Sequence, residues 1–280
     1  MTQNANPLKN YFRTAALHLR LPSGGQHWAP GTLDMPPTGE IPVLPMTAID
    51  EIAYRTPDAL FNGSAIVQVI QSCCPNIRNA WAAPGVDVTA ILMAIRLASY
   101  GSDLEVNSTC PNCSTDSDYS LSLQDAMAKL RMPNFEKPIT HGDLEIYFRP
   151  IGYQTQNVIN AKQFEQQRMI VQTRSSDLPE EEQNRILSQT LDVLTKLTID
   201  ILVANVAAIR TPTALVSEPE HIEEFIRNCD RKLYNQIRDH AMALREQSEI
   251  PPLQVTCSNC SHQYQQTIVL DATSFFEAAS

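Results

Sequence analysis

The chain is 280 residues long, 43% apolar and 19% charged, which suits a globular protein with a sizeable core. Its net charge of −10 argues against nucleic acid as the main partner, because phosphate binding draws on clustered Lys and Arg and no such cluster occurs. Nine Gly against 19 Pro make the irregular stretches stiff.

The opening "MTQNANPLKN" is polar with no apolar run behind it, so no secretory signal is expected. "TIDILVANVAAI" (198–209) is too short to span a membrane and carries Asp200 and Asn205. Folding in a reducing cytoplasm is expected, where seven Cys serve as metal ligands and core residues rather than disulfides.

Residues 1–46 read as an extended arm. "LPSGGQHWAPGTLDMPPTGEIPVLPM" holds six prolines, with room for a short hairpin around "PTGEIPVLP". Two readings stand side by side: an arm packed on its own domain, or a strap laid on a neighbouring subunit.

Residues 47–103 turn helical. Asp50 and Glu51 read as a solvated helix start, and Thr56-Pro57-Asp58 as a second start. "SAIVQVIQSCC" begins a helix at Ser64. Asp87 is predicted to cap "VTAILMAIRLASY", an all-round apolar helix that Gly101 ends. Cys73 and Cys74 are adjacent, cannot clasp one ion as C-x-x-C does, and read as buried structural thiols.

After a segment at 104–123, "DLEIYFRPI" (143–151) alternates as a strand. Helices are predicted over 152–172, over 179–209 with Glu180, Glu181 and Glu182 in the first turn, and over 219–247. The last carries a stripe of Ile222, Ile226, Cys229, Leu233, Ile237, Ala241 and Leu244, so Cys229 reads as core. "IPPLQ" stops it.

One phrase occurs twice: "TCPNCS" at 109–114 and "TCSNCS" at 256–261, with 143 residues between Cys113 and Cys257. Each copy lies between alternating stretches, "LEVNST" and "YSLSL" for the first, "LQVT" and "YQQTIVL" for the second. Strand, turn, strand is the build of a zinc-ribbon knuckle, whereas a redox C-x-x-C normally opens a helix. Two thiolates two residues apart can clasp one ion, and four complete a closed tetrahedral structural site. Cys110, Cys113, Cys257 and Cys260 supply that count. Two metal-free turns, or cysteines shared between chains, are the competing readings, and His262 is a candidate substitute ligand.

The predicted fold is therefore α+β and mainly helical. A helical region (124–249) is inserted within a four-cysteine zinc-ribbon-like module (104–123 and 250–272), behind a helical region at 47–103 and the Pro-rich arm. Catalytic signatures are missing: no Gly-rich phosphate loop, no H-E-x-x-H, no G-x-S-x-G, and six scattered His. A closed four-Cys site leaves no position for a reacting water, so a non-enzymatic interaction protein is expected.

"GEIPVLPMTAIDEIAYRTPDALFNG", "CCPNIRNAWAAPGVDVTAILMAIRLASYG", "STCPNCS" and "TCSNCSHQYQQTIVLDATSFFEA" resemble the baseplate proteins of contractile-tailed bacteriophages of the T-even type, described as hub subunits or hub assembly proteins. The likeness covers most of the chain and is strongest at 40–114 and 250–277. It implies a protein made in the host cytoplasm that acts through contacts with other baseplate and hub proteins, either built into the virion tail or leaving as an assembly chaperone. The family's paired Cys motifs match Cys110, Cys113, Cys257 and Cys260, which implies a structural zinc there and no catalytic residue. A zinc-ribbon nucleic-acid adaptor is the alternative class. Phe275 and Phe276 in "SFFEAA" are open to docking in a partner groove or to core packing.

Overall fold

A computed structural model of the chain describes residues 6–55, 63–176, 178–268 and 275–276. The helix start predicted at Thr56-Pro57-Asp58 lies outside them. In chain order the elements are β1 (Leu17–Leu19), β2 (Ile41–Val43), α1 (Ala48–Tyr54), α2 (Ser64–Cys73), α3 (Gly85–Tyr100), β3 (Asp103–Thr109), β4 (Asp116–Ser122) and α4 (Leu123–Lys129). Then come β5 (Ile139–His141), β6 (Leu144–Phe148), α5 (Tyr153–Arg174), α6 (Glu180–Asn205), β7 (Val206–Arg210), β8 (Leu215–Val216), α7 (Pro219–Asn228), α8 (Arg231–Ser248), β9 (Leu253–Thr256) and β10 (Gln263–Gln266). Helices dominate, and the strands form small antiparallel sheets, an α+β architecture.

Contacts divide the chain into two compact units. The first is drawn from Met1–Ala80, Asp87–Leu130 and Ile250–Ser280, the second from Trp81–Val86 and Arg131–Glu249.

In the first unit the Pro-rich stretch is packed on its own chain. β1 pairs antiparallel with β2, Leu17 opposite Val43, and Leu19, Leu21, Ile41 and Val43 are buried. The pairing joins residues 22 to 26 positions apart rather than closing a hairpin around "PTGEIPVLP". Arg13 anchors the segment before it: its guanidinium donates to Pro45 O (2.6 Å), Asp50 Oδ2 (3.0 Å) and Ser72 O (2.9 Å).

Asp50 is not solvated. It is 4% exposed and forms a capping box with Thr47 at the start of α1. Burial pushes its carboxyl up, but hydrogen bonds from Thr47 and Ser72 and the Arg13 charge outweigh this and hold it below the usual carboxylate value. Glu51 accepts from Tyr100 Oη at 2.8 Å.

Helix α2 buries Ala65, Ile66, Val67, Val69, Ile70 and Cys73, and Ile91, Met93, Ala94 and Ile95 of α3 are fully buried, so this pair forms the centre of the unit. Cys73 and Cys74 are buried free thiols; loss of solvation pushes Cys73 up to about 11. Gly101, at φ 99°, ends α3 in the left-handed region that glycine tolerates.

Asp87 does not cap α3. The helix starts two residues earlier, and the buried Asp87 carboxylate accepts from Ser23 N (2.9 Å), Ser23 Oγ and Trp28 Nε1 (2.7 Å) instead. Phe275 and Phe276 are core residues of this unit. The Phe276 ring meets Tyr54 edge-on at 4.8 Å, and the Arg96 guanidinium lies 5.5 Å from the Phe275 ring and donates to its carbonyl.

In the second unit a four-stranded antiparallel sheet, ordered β5-β6-β7-β8, is covered by α6, α7 and α8. Its core gathers Ile146, Phe148, Leu202, Val206, Ile209, Ile222, Ile226, Leu233 and Ile237. The helix expected to run to 209 gives way at Val206, where the backbone turns extended and pairs with β6. The helix expected over 219–247 is two, broken at Cys229 because Asp230 caps α8 by accepting from Lys232 N (2.8 Å) and Leu233 N (3.0 Å). Cys229 remains against the core, half-buried. The 81–86 strap joins this unit through Trp81 stacked on Tyr153 at 5.6 Å and Tyr153 N donating to Ala83 O at 2.8 Å.

Candidate metal centre

Strands β3 and β4 pair over seven residues from Asp103 opposite Ser122 to Thr109 opposite Asp116, leaving Cys110 to Thr115 as the turn. Strands β9 and β10 pair from Leu253 opposite Gln266 to Thr256 opposite Gln263, leaving Cys257 to His262. The two turns are built alike. Cys110 N donates to Thr115 O and Ser114 N to Cys110 O, both at 2.9 Å; Cys257 N donates to His262 O at 2.9 Å and Ser261 N to Cys257 O at 3.0 Å. Ser114 and Ser261 take matching left-handed conformations, φ 55° and 57°. The repeated phrase is thus a repeated backbone shape, which aims both sulfurs of each copy the same way.

The hairpins meet through hydrogen bonds as well as through the turns. Ser108 Oγ lies 2.9 Å from Tyr264 Oη, Ser117 Oγ 3.2 Å from Ser258 Oγ, and Tyr119 Oη donates to Thr256 O at 3.2 Å. This brings all four sulfurs together, mutually within 4.8 Å. Cys110 Sγ stands 3.7 Å from Cys260 Sγ, and Cys113 Sγ 3.6 Å from Cys257 Sγ. These are not disulfide distances, and all four are free thiols. A tetrahedron with metal–sulfur bonds of about 2.3 Å has edges of about 3.8 Å, so both contacts fit a single ion. The set is compatible with a metal site built from one chain.

Polar side chains surround the sulfurs. Asn112 Nδ2 points at Cys260 Sγ (3.5 Å), and Asn259 Nδ2 at Cys113 Sγ (3.7 Å), each reaching from one knuckle to the other. Hydrogen bonds from the Thr115 hydroxyl and backbone pull the Cys113 thiol down to about 6, and those from Asn112 and the His262 backbone lower Cys260. Burial raises Cys110 to about 11. A lowered pKa favours the thiolate form, which is the form that binds a metal. Sequence reasoning missed Asn112 and Asn259, although the same letter before the second Cys of each copy was the signal.

His262 stands apart from the sulfur cluster; its ring is exposed and stacks on Tyr264 at 6.1 Å.

A family model described as T4 bacteriophage base plate protein matches residues 46–277. No protein of curated function and no solved structure matches the chain. Among the described residues no helix is long and apolar enough to cross a membrane.

Proposed function

The chain belongs to the T4-type bacteriophage baseplate family, and from that premise we propose that it is a non-enzymatic hub protein of the tail baseplate, closed by one structural zinc ion. Membership gives it a structural role in the baseplate and contacts with other baseplate proteins. It would take its place at the centre of the baseplate after folding in the host cytoplasm.

The observation that carries the zinc is the convergence of Cys110, Cys113, Cys257 and Cys260 from two knuckles far apart in sequence. Zinc bound there would supply no reaction chemistry, since four thiolates fill its tetrahedron; it would join the two knuckles. Such a link restricts the unfolded chain across a long loop and so stabilises the fold. Asn112 and Asn259 would orient the thiolates and offset part of their charge.

The nucleic-acid adaptor reading is weaker. Residues 103–122 and 253–266 contain no Lys or Arg and carry Asp103, Glu105, Asp116 and Asp118. That surface repels phosphate.

Quantitative mass spectrometry of purified virions beside infected-cell lysate tests the role. A fixed small copy number per particle supports a hub subunit. Abundance in lysate with none in particles makes it an assembly chaperone that leaves. Absence from particles and from every baseplate intermediate overturns the hub reading.

A further inference from the structure

Helices α5 and α6 form an antiparallel hairpin whose buried members recur at seven-residue steps, Ile159, Gln166 and Thr173 on α5 and Thr190 and Leu197 on α6, before Leu202 of α6 joins the core of the sheet. That repeat belongs to coiled-coil packing. Thr190 Oγ1 lies 3.5 Å from Met169 Sδ, which fixes the register of the two helices. Beside the seam on one face runs an open groove of about 330 Å³, lined by Val158, Ile159, Lys162, Leu197 and Asp200. Val158, Met169 and Val193 are 48%, 39% and 43% exposed. The helical repeat sets all three on that face, together with Glu165 and Lys196.

The charges on this face have a definite order. From the hairpin base toward its tip, α5 presents Lys162 and then Glu165, while α6 presents Asp200 and then Lys196. At each level the two helices carry opposite signs, yet none of these four residues makes an ion pair among the described residues.

We propose that this face of the hairpin packs against the same face of a second copy, forming a four-helix bundle. A half-turn about the hairpin's long axis lays α6 of the second copy over α5. Lys162 then meets Asp200 of the second copy, Glu165 meets its Lys196, and both pairs recur by symmetry. Val158 packs on the base side of these charges and Met169 and Val193 on the tip side, and every neighbouring pair of helices is antiparallel, as in an up-down-up-down bundle. The occupant is a second copy because the face is its own electrostatic complement. An unrelated helix would have to reproduce the same ladder of signs.

Sedimentation of the full chain under reducing conditions tests this. The expected result is a monomer–dimer equilibrium that weakens with added salt. Lys162→Asp and Asp200→Lys should each weaken the dimer about ten-fold or more, because each substitution places two like-charge contacts in it. Lys162 is exposed and Asp200 half-buried at an open groove, and neither makes an ion pair among the described residues, so the melting curves of the variants should stay close to the parent's. Mixing the two variants should restore dimers, since Lys162→Asp on one chain then faces Asp200→Lys on the other. A chain that stays monomeric up to its solubility limit, single variants that dimerise like the parent, or a mixture that fails to recover would each overturn the proposal.

Discussion

The first unit gathers three separated stretches of chain, while the second is almost entirely the continuous run Arg131–Glu249. Their interiors differ accordingly. The second unit closes over an apolar core in which Ile146, Ile222, Ile226 and Ile237 are at most 2% exposed. In the first unit, α2 and α3 form a comparable centre, but the knuckle strands contribute little. Within β3 and β4 only Ser108 and Leu121 are buried, and within β9 and β10 only Val255. Two-stranded hairpins are marginal alone. Where apolar burial is thin, the chain instead brings four thiols within 4.8 Å of one another.

Removing a thiol ligand is expected to have the largest effect. Cys113→Ser or Cys257→Ser should release the metal and destabilise the first unit by several kcal/mol, since structural zinc supplies about 10 kcal/mol or more in small domains. Calorimetry should show the loss in one transition and leave the other in place; a uniform shift of both would break the comparison. Ile237→Ala reverses the test. Ile237 is fully buried in the second unit, so its truncation should cost about 2–5 kcal/mol by denaturant titration without changing metal content.

Asp50 sharpens the comparison within the first unit. Asp50→Asn removes a buried carboxylate held by Arg13 at 3.0 Å and Thr47 N at 2.8 Å, and should cost about 1–3 kcal/mol at neutral pH. Its carboxyl is held below the usual value in the folded state. That contribution is therefore complete above the ordinary carboxylate pKa, near pH 4, and is lost as pH falls through the lower folded value. Melting curves against pH should fall more steeply in acid for the parent than for the variant. The smallest effect is at Asp230, where Asp230→Ala removes the α8 cap for about 1 kcal/mol, measured as a small shift of the second unit's transition.

What could be read from the sequence follows the range of the interaction. The knuckle turns were legible because the phrase is local and doubled, and most of α6 because its first-turn glutamates and apolar spacing are local too. Cys229 was harder. The stripe from Ile222 to Leu244 keeps one helical period across the break, so apolar spacing alone joined α7 to α8, and the cap at Asp230 went unread. Asp50 and Asp87 were misread because their partners are distant in sequence: Arg13 lies 37 residues before Asp50, and Ser23 lies 64 before Asp87. A carboxylate beside a helix start looks solvated until a cation or a tryptophan N–H arrives from elsewhere. Phe275 and Phe276 were open between core and partner for the same reason, and Tyr54 and Arg96 decide it.

The most direct measurement is native mass spectrometry of the full chain purified without chelator, with metal content determined in parallel. One zinc per single chain, lost on denaturation and absent from Cys113→Ser, is the predicted result. A metal-free chain that melts no differently with chelator, or a stoichiometry of one zinc to two or more chains, would contradict it.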